Sequence, residues 1–80
     1  MTEDDARTAV RAAIALIAPE IEEADLNADA RLRQDLELDS LDFLRLVETL
    51  AGQTGVDIPE SDYAQVATVA GLVAYLAARS

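Results

Sequence analysis

The spacing of apolar residues constrains this chain most. Ala6, Val10, Ala13, Ile14 and Ile17 recur at the period of a helix with one buried face. They predict a first helix from Thr2 to about Ala18. Thr2 and Asp5 have the spacing of a capping box, with Asp in place of the preferred Glu. Glu3, Asp4 and Asp5 fill the first turn, where the helix dipole favours negative charge, and Arg7 and Arg11 stand one turn apart, able to pair with those acids. Pro19 ends the segment, because the residue before a proline avoids the helical region. The same period returns in Leu41, Leu44, Val47 and Leu50, read as one apolar stripe and widened by Phe43 and Leu46. A second helix should therefore begin at Asp39 or Ser40 and end near Gly52, with Gly52 and Gly55 as stop signals. Thr68 caps a last helix with Val69, Leu72, Val73 and Leu76 on one face and Tyr75 beside them.

Residues 19–38 break the pattern. Charge is dense there, and Ile21, Leu26, Leu32, Leu36 and Leu38 are isolated. The stretch reads as one long loop with a short turn near Asp29–Arg33, its leucines pegged onto the core. Loops of this length in compact domains are often functional. Gly55 to Pro59 reads as extended linker, followed by a short helical piece capped by Ser61 or Asp62 and running through Val66. The expected fold is all-α: residues 1–80 as a single domain, a small bundle of three to four helices with a long loop between helices 1 and 2. Val10, Ile14, Ile17, Val47, Leu50, Val69, Leu72, Val73 and Leu76 are its expected core.

What the composition lacks narrows the chemistry. The chain has no Cys, His, Lys or Trp, and all six basic residues are Arg. Without His there is no Ser-His-Asp triad and no zinc site of the usual kinds. Without Lys there is no P-loop lysine and no Schiff base. Without Cys, an 80-residue chain must hold itself together by apolar packing alone. A net charge of −10 repels nucleic-acid phosphates and favours basic partners. No apolar run reaches the length of a membrane span, and the acidic N-terminus is unlike a signal peptide, so a cytoplasmic protein is expected. Starting at Met1 without a long linker at either end, it is expected to be a freestanding monomer.

Ser40 is the residue that invites chemistry. It stands in Asp35-Leu36-Glu37-Leu38-Asp39-Ser40-Leu41-Asp42, where the long loop meets the second helix. The simplest role is that Ser40 or Asp39 caps the helix. A nucleophilic serine needs a base, and the chain offers no His, Lys or Cys to serve as one. A hydroxyl at a helix N-terminus is, however, a good place to attach a phosphate ester, because free N–H groups and the dipole accommodate the anion. Ser40 would then be an acceptor modified by another enzyme.

Asp39-Ser40-Leu41-Asp42 resembles the Asp-Ser-Leu signature of acyl carrier proteins. The setting strengthens the likeness: a long loop containing Asp35-Leu36 precedes the string and an apolar helix follows it. Val56-Asp57-Ile58-Pro59 resembles the family's link to a short third helix, and Ala67-Thr68-Val69 the start of its last helix. The resemblance runs from about Thr2 to Ala78. It implies that the protein is not an enzyme, and that Ser40 carries 4′-phosphopantetheine added from coenzyme A by a phosphopantetheinyl transferase. The thiol of that arm would hold an acyl group as a thioester, for partners that activate or transfer acyl groups and for ketosynthase-type enzymes. By the same resemblance partners present Arg and Lys to the start of the second helix, where Asp39 and Asp42 should meet them. Leu41, Phe43, Arg45 and Glu48 complete the expected recognition face, and Phe43, three positions after Ser40, is expected near the hydroxyl and partly exposed.

Two departures stand out. Glu37 and Leu38 occupy positions where many members have small residues, and Arg45 interrupts a helix that is usually strongly acidic in fatty-acid carriers. Both favour a specialised carrier over the housekeeping one. Two other readings compete. Asp25-x-Asn27-x-Asp29 begins like a calcium loop, but Ala30 and Leu36 stand where that loop needs Gly and Glu, with Arg31 and Arg33 among the ligands. This leaves at most weak divalent binding to scattered carboxylates. The other reading is a small acidic helical module that binds a basic partner without any prosthetic group.

Overall fold

The computed structural model describes residues 1–79. Three α-helices, α1 (Glu3–Ile17), α2 (Ser40–Thr54) and α3 (Val69–Arg79), are joined by two 3₁₀ segments, Glu23–Asp25 and Glu60–Val66. The all-α expectation holds. Among the described residues the only extended pairing is an isolated antiparallel bridge between Arg31 and Thr68.

α1 starts as its sequence predicts. The Thr2 hydroxyl accepts the Asp5 N–H at 3.1 Å, and the Asp5 carboxylate accepts the Thr2 N–H at 3.4 Å. Arg7 pairs with Asp4 at 2.7 Å and with Glu3 at 3.4 Å. Arg11 does not join them. It reaches across to Glu23 at 3.1 Å and ties α1 to the first 3₁₀ segment, which the sequence had not suggested. α1 packs on both α2 and α3, burying Ala6, Val10, Ala13 and Ile14, while Ile17 is half-buried at the edge of the core.

α2 runs through Gly52 and stops at Thr54. Gly55 takes φ of 75°, and its N–H donates to the Ala51 carbonyl, so Gly55 alone supplies the left-handed cap. The buried face is Phe43, Leu46, Val47 and Leu50. This corrects the expected stripe: Leu41 and Leu44 point to solvent, 61% and 43% exposed. Val47 and Leu50 of that stripe are buried, as are Phe43 and Leu46 that widen it. Steps of three residues fall short of the 3.6-residue turn, so the row winds around the helix and its first two leucines leave the inward face.

The long loop is sewn onto α3. Leu26, Leu32, Leu36 and Leu38 are all buried, as pegs. The first three N–H groups of a helix lack intrahelical partners. Here Val69 donates to the Ala30 carbonyl, Ala70 to that of Ala28, and Gly71 to the Thr68 hydroxyl, each at 3.0 Å. Thr68 is thus the expected cap, and loop carbonyls complete it. Gly71 is glycine for space: a Cβ there would run into the Gln65 carbonyl. Turns form at 28–29 and 32–35, flanking and overlapping the expected one.

The second 3₁₀ segment begins after Pro59, and neither Ser61 nor Asp62 caps it. Asp62 is otherwise engaged: it accepts the Tyr75 hydroxyl at 2.6 Å, while Arg79 lies 3.6 Å from the centroid of the Tyr75 ring. Tyr75 is itself buried, so this cluster clasps residues 60–66 to α3 from inside.

Candidate functional site

Ser40 is the first residue of α2 and is exposed. Asp39 precedes it in extended conformation as the cap. Its carboxylate accepts the Asp42 N–H at 2.8 Å, and Asp42 accepts the Asp39 N–H at 3.4 Å. The two acids that flank Ser40 therefore fix the helix start. Asp39, engaged in the cap, is poorly placed to act as a base for the Ser40 hydroxyl.

The loop that delivers Ser40 is held by two devices. Arg31 grips Asp35 through its Nε and Nη2 at 3.2 and 3.0 Å, and its backbone N–H donates to the same carboxylate at 2.8 Å. These bonds, the side-chain ones first, hold the Asp35 carboxyl below its usual value. Further on, Glu37 adopts φ of 57°, a left-handed conformation that L-residues enter at a cost. The kink separates Leu36 from Leu38, both buried, and sends the chain directly into Asp39. Position 37, where the sequence departs from the small residues usual in the resembling family, is one where glycine would sit without strain.

Two grooves near the start of α2 differ chemically. An acidic groove of about 330 Å³, which reaches Asp42 but not Ser40, is lined by Glu20, Asp25, Asp35, Glu37 and Asp42 together with apolar residues. The other, of about 350 Å³, is lined by Ser40, Arg33, Phe43, Leu44, Glu60 and Tyr63. It adjoins a smaller one of about 190 Å³ that shares Arg33, Phe43 and Tyr63. The Phe43 and Tyr63 rings meet edge to face, centroids 4.9 Å apart.

The structure separates the sequence-predicted residues into groups. Ser40, Asp39 and Asp42 come together at the helix start. Leu41, Arg45 and Glu48 are exposed on α2. Phe43 is not a surface residue: at 8% exposure it belongs to the core, because it lies on the buried stripe and packs against Tyr63. Arg33, Leu44 and Tyr63 beside Ser40 were not anticipated as site residues. Nothing in local sequence signals that Tyr63 folds back onto Phe43. Asp25 and Asp29 belong to no group of three or more acidic side chains placed to hold a metal ion among the described residues. Nor is any described helix long and apolar enough to cross a membrane.

An exposed hydroxyl at the N-terminus of a 15-residue helix suits a phosphate ester, since the dipole and free N–H groups there favour an anion. Residues 8–76 match the family described as the phosphopantetheine attachment site. The acyl carrier protein of Rubrobacter xylanophilus is 34% identical over 56 residues, covering 70% of this chain and 69% of that protein. Those of Rickettsia typhi and Rickettsia prowazekii are each 31% identical over 58 residues, covering 72% of this chain and 67% of theirs. The chain belongs to the acyl carrier protein family, whose members bear phosphopantetheine and serve as carriers rather than enzymes.

Proposed function

We propose that Ser40 is the residue to which 4′-phosphopantetheine is attached, and that residues 1–80 act as one carrier domain. The observation that carries this reading is the position of Ser40: exposed, at the first residue of α2, behind a cap that leaves its hydroxyl uncommitted. The other serine within the matched span, Ser61, lies in a 3₁₀ segment rather than at the start of a long helix. The arm's thiol supplies the thioester chemistry when it is attached. This chain supplies the attachment point, its orientation and the surface presented to partners. With no His, Lys or Cys, it depends on the transferase to deprotonate Ser40.

The cargo in this reading is an acyl intermediate, handed to partner enzymes of fatty-acid, polyketide or related specialised biosynthesis by a cytoplasmic monomer. The exposed Arg45, which has no acid within ion-pair distance among the described residues, favours a specialised pathway, since it would repel a basic patch built for an acidic helix. Arg45→Glu should then raise turnover with a generic fatty-acid ketosynthase; no change would remove that preference. The attachment itself is tested by intact mass after incubation with coenzyme A and a broad-specificity transferase. Wild type should gain one phosphopantetheine, and folded Ser40→Ala none. Equal labelling of both, or of neither, would overturn the assignment, and with neither labelled an acidic binding module without the group becomes the better account.

A further inference from the structure

Of the six arginines, four are paired with acids: Arg7 with Glu3 and Asp4, Arg11 with Glu23, Arg31 with Asp35, and Arg79 with Asp62. Arg33 and Arg45 have no acid within ion-pair distance among the described residues, in a chain with 16 carboxylates. Arg45 lies on the outer face of α2. Arg33 lines the groove that Ser40 also lines, and it lines the smaller groove beside it. The walls are otherwise largely apolar, with Phe43, Leu44 and Tyr63 as the large side chains. Among the described residues Glu60 is the only carboxylate lining either groove, and it makes no ion pair with Arg33.

We propose that Arg33 holds the phosphodiester of the arm on Ser40, so that the arm rests in the Phe43–Tyr63 groove, which Ser40 itself lines, instead of the acidic groove that reaches Asp42. The inference rests on Ser40 being the attachment point. A guanidinium is always charged and presents a planar fork of donors that fits phosphate oxygens. The occupant's charge is complementary to Arg33, and its tether leaves from the groove's own wall. The carboxylates of the acidic groove would repel the same phosphodiester. The apolar methyl and methylene groups of the arm then lie against Phe43, Leu44 and Tyr63, shielded from water.

The test begins with protein whose loading has been verified by mass. Nuclear Overhauser effects between the arm's paired methyl groups and the Phe43 and Tyr63 rings report the docked arm, and the Arg33 Nε–H resonance reports the ion pair. Loaded wild type should show both, with the Nε–H shifted from its unloaded position. In loaded Arg33→Gln the arm-to-ring effects should weaken about two- to fivefold, the range an exposed ion pair supplies. Raising salt should weaken them in wild type by screening. Arg33 is exposed, so the unloaded variant should give the wild-type spectrum elsewhere. Loading without arm-to-ring effects, or effects unchanged in Arg33→Gln, would overturn this inference and leave Ser40's role intact. Failure to load would overturn both.

Discussion

Two glycines in helices should respond to alanine in opposite directions. Alanine is favoured over glycine in a helix interior by about 0.8–1.0 kcal/mol. At Gly52, in the last turn of α2, nothing lies within 4 Å of the place a Cβ would occupy. Gly52→Ala should therefore gain most of that amount. At Gly71, in the first turn of α3, the same methyl would collide with the Gln65 carbonyl and approach the Thr68 hydroxyl oxygen to 3.2 Å. The obstacle is backbone and cannot rotate aside. The neighbouring Val66 is fully buried, and the Ala67 carbonyl accepts the Leu32 N–H at 2.9 Å. Overpacking of this kind costs about 1–3 kcal/mol, which outweighs the propensity gain and leaves a net loss near 1 kcal/mol. In a domain of this size 1 kcal/mol moves the melting temperature by about 4–8 °C. Thermal and urea melts followed by circular dichroism should show Gly52→Ala above wild type and Gly71→Ala below it. A Gly71→Ala protein that melts higher would refute the reasoning. It would mean that residues 60–66 yield freely, and the Tyr63 wall beside Ser40 would not be rigid.

Phe43→Ala should cost about 3–5 kcal/mol as a buried aromatic truncation, whereas Leu41→Ala should change stability by less than about 0.5 kcal/mol. Urea melts measure this, and transferase kinetics should show Leu41→Ala slowed in loading although it is fully folded. Glu37→Gly should stabilise by a few tenths to about 1 kcal/mol, the left-handed strain relieved less the entropy of a freer unfolded chain, and a destabilised variant would show that the Glu37 side chain matters more than its backbone. The Tyr75 hydroxyl is raised above its ordinary value of 10.0 by its hydrogen bond to Asp62 first and then by burial. A raised folded value stabilises fully below pH 10 and is lost as pH rises through it, so alkaline melts should fall more steeply for wild type than for Tyr75→Phe.

The helices were legible because their signals are local. Thr2 with Asp5, Asp39 with Asp42, and Thr68 with Gly71 are short-range caps whose partners lie three residues away. The pegged leucines were legible for a related reason: an isolated apolar residue in a charged loop has nowhere better to go than the core. The buried end of α2 was legible in Val47 and Leu50, but its full phase was not, since Leu41 and Leu44 continue that row as well as Phe43 and Leu46 do. Only the rest of the bundle decides which faces inward. Arg11 crossing to Glu23 and Tyr63 meeting Phe43 join residues far apart in sequence, and no periodicity encodes such contacts. At the proposed site, Ser40 was singled out by its place between loop and helix. Arg33 was not singled out because its place beside Ser40 depends on how the loop packs near Tyr63, which no local pattern encodes.

The same phase decides what α2 offers a partner. Asp39 and Asp42 were expected to meet basic groups, yet both carboxylates are engaged in capping the helix that presents Ser40. Reversing either charge would therefore damage the helix start as well as the surface, and slow loading in such a variant would not by itself identify a docking contact. The outward face next to Ser40 is Leu41 and Leu44, followed by Arg45 and Glu48. Under the proposed function, two kinds of force divide the task. The net charge of −10 acts at long range and draws basic enzymes toward the carrier, with an effect that salt weakens. Discrimination among those enzymes falls to the contact itself, where two leucines require an apolar recess and Arg45 requires that no cation face it. A partner evolved for a uniformly acidic helix satisfies the first force and fails the second.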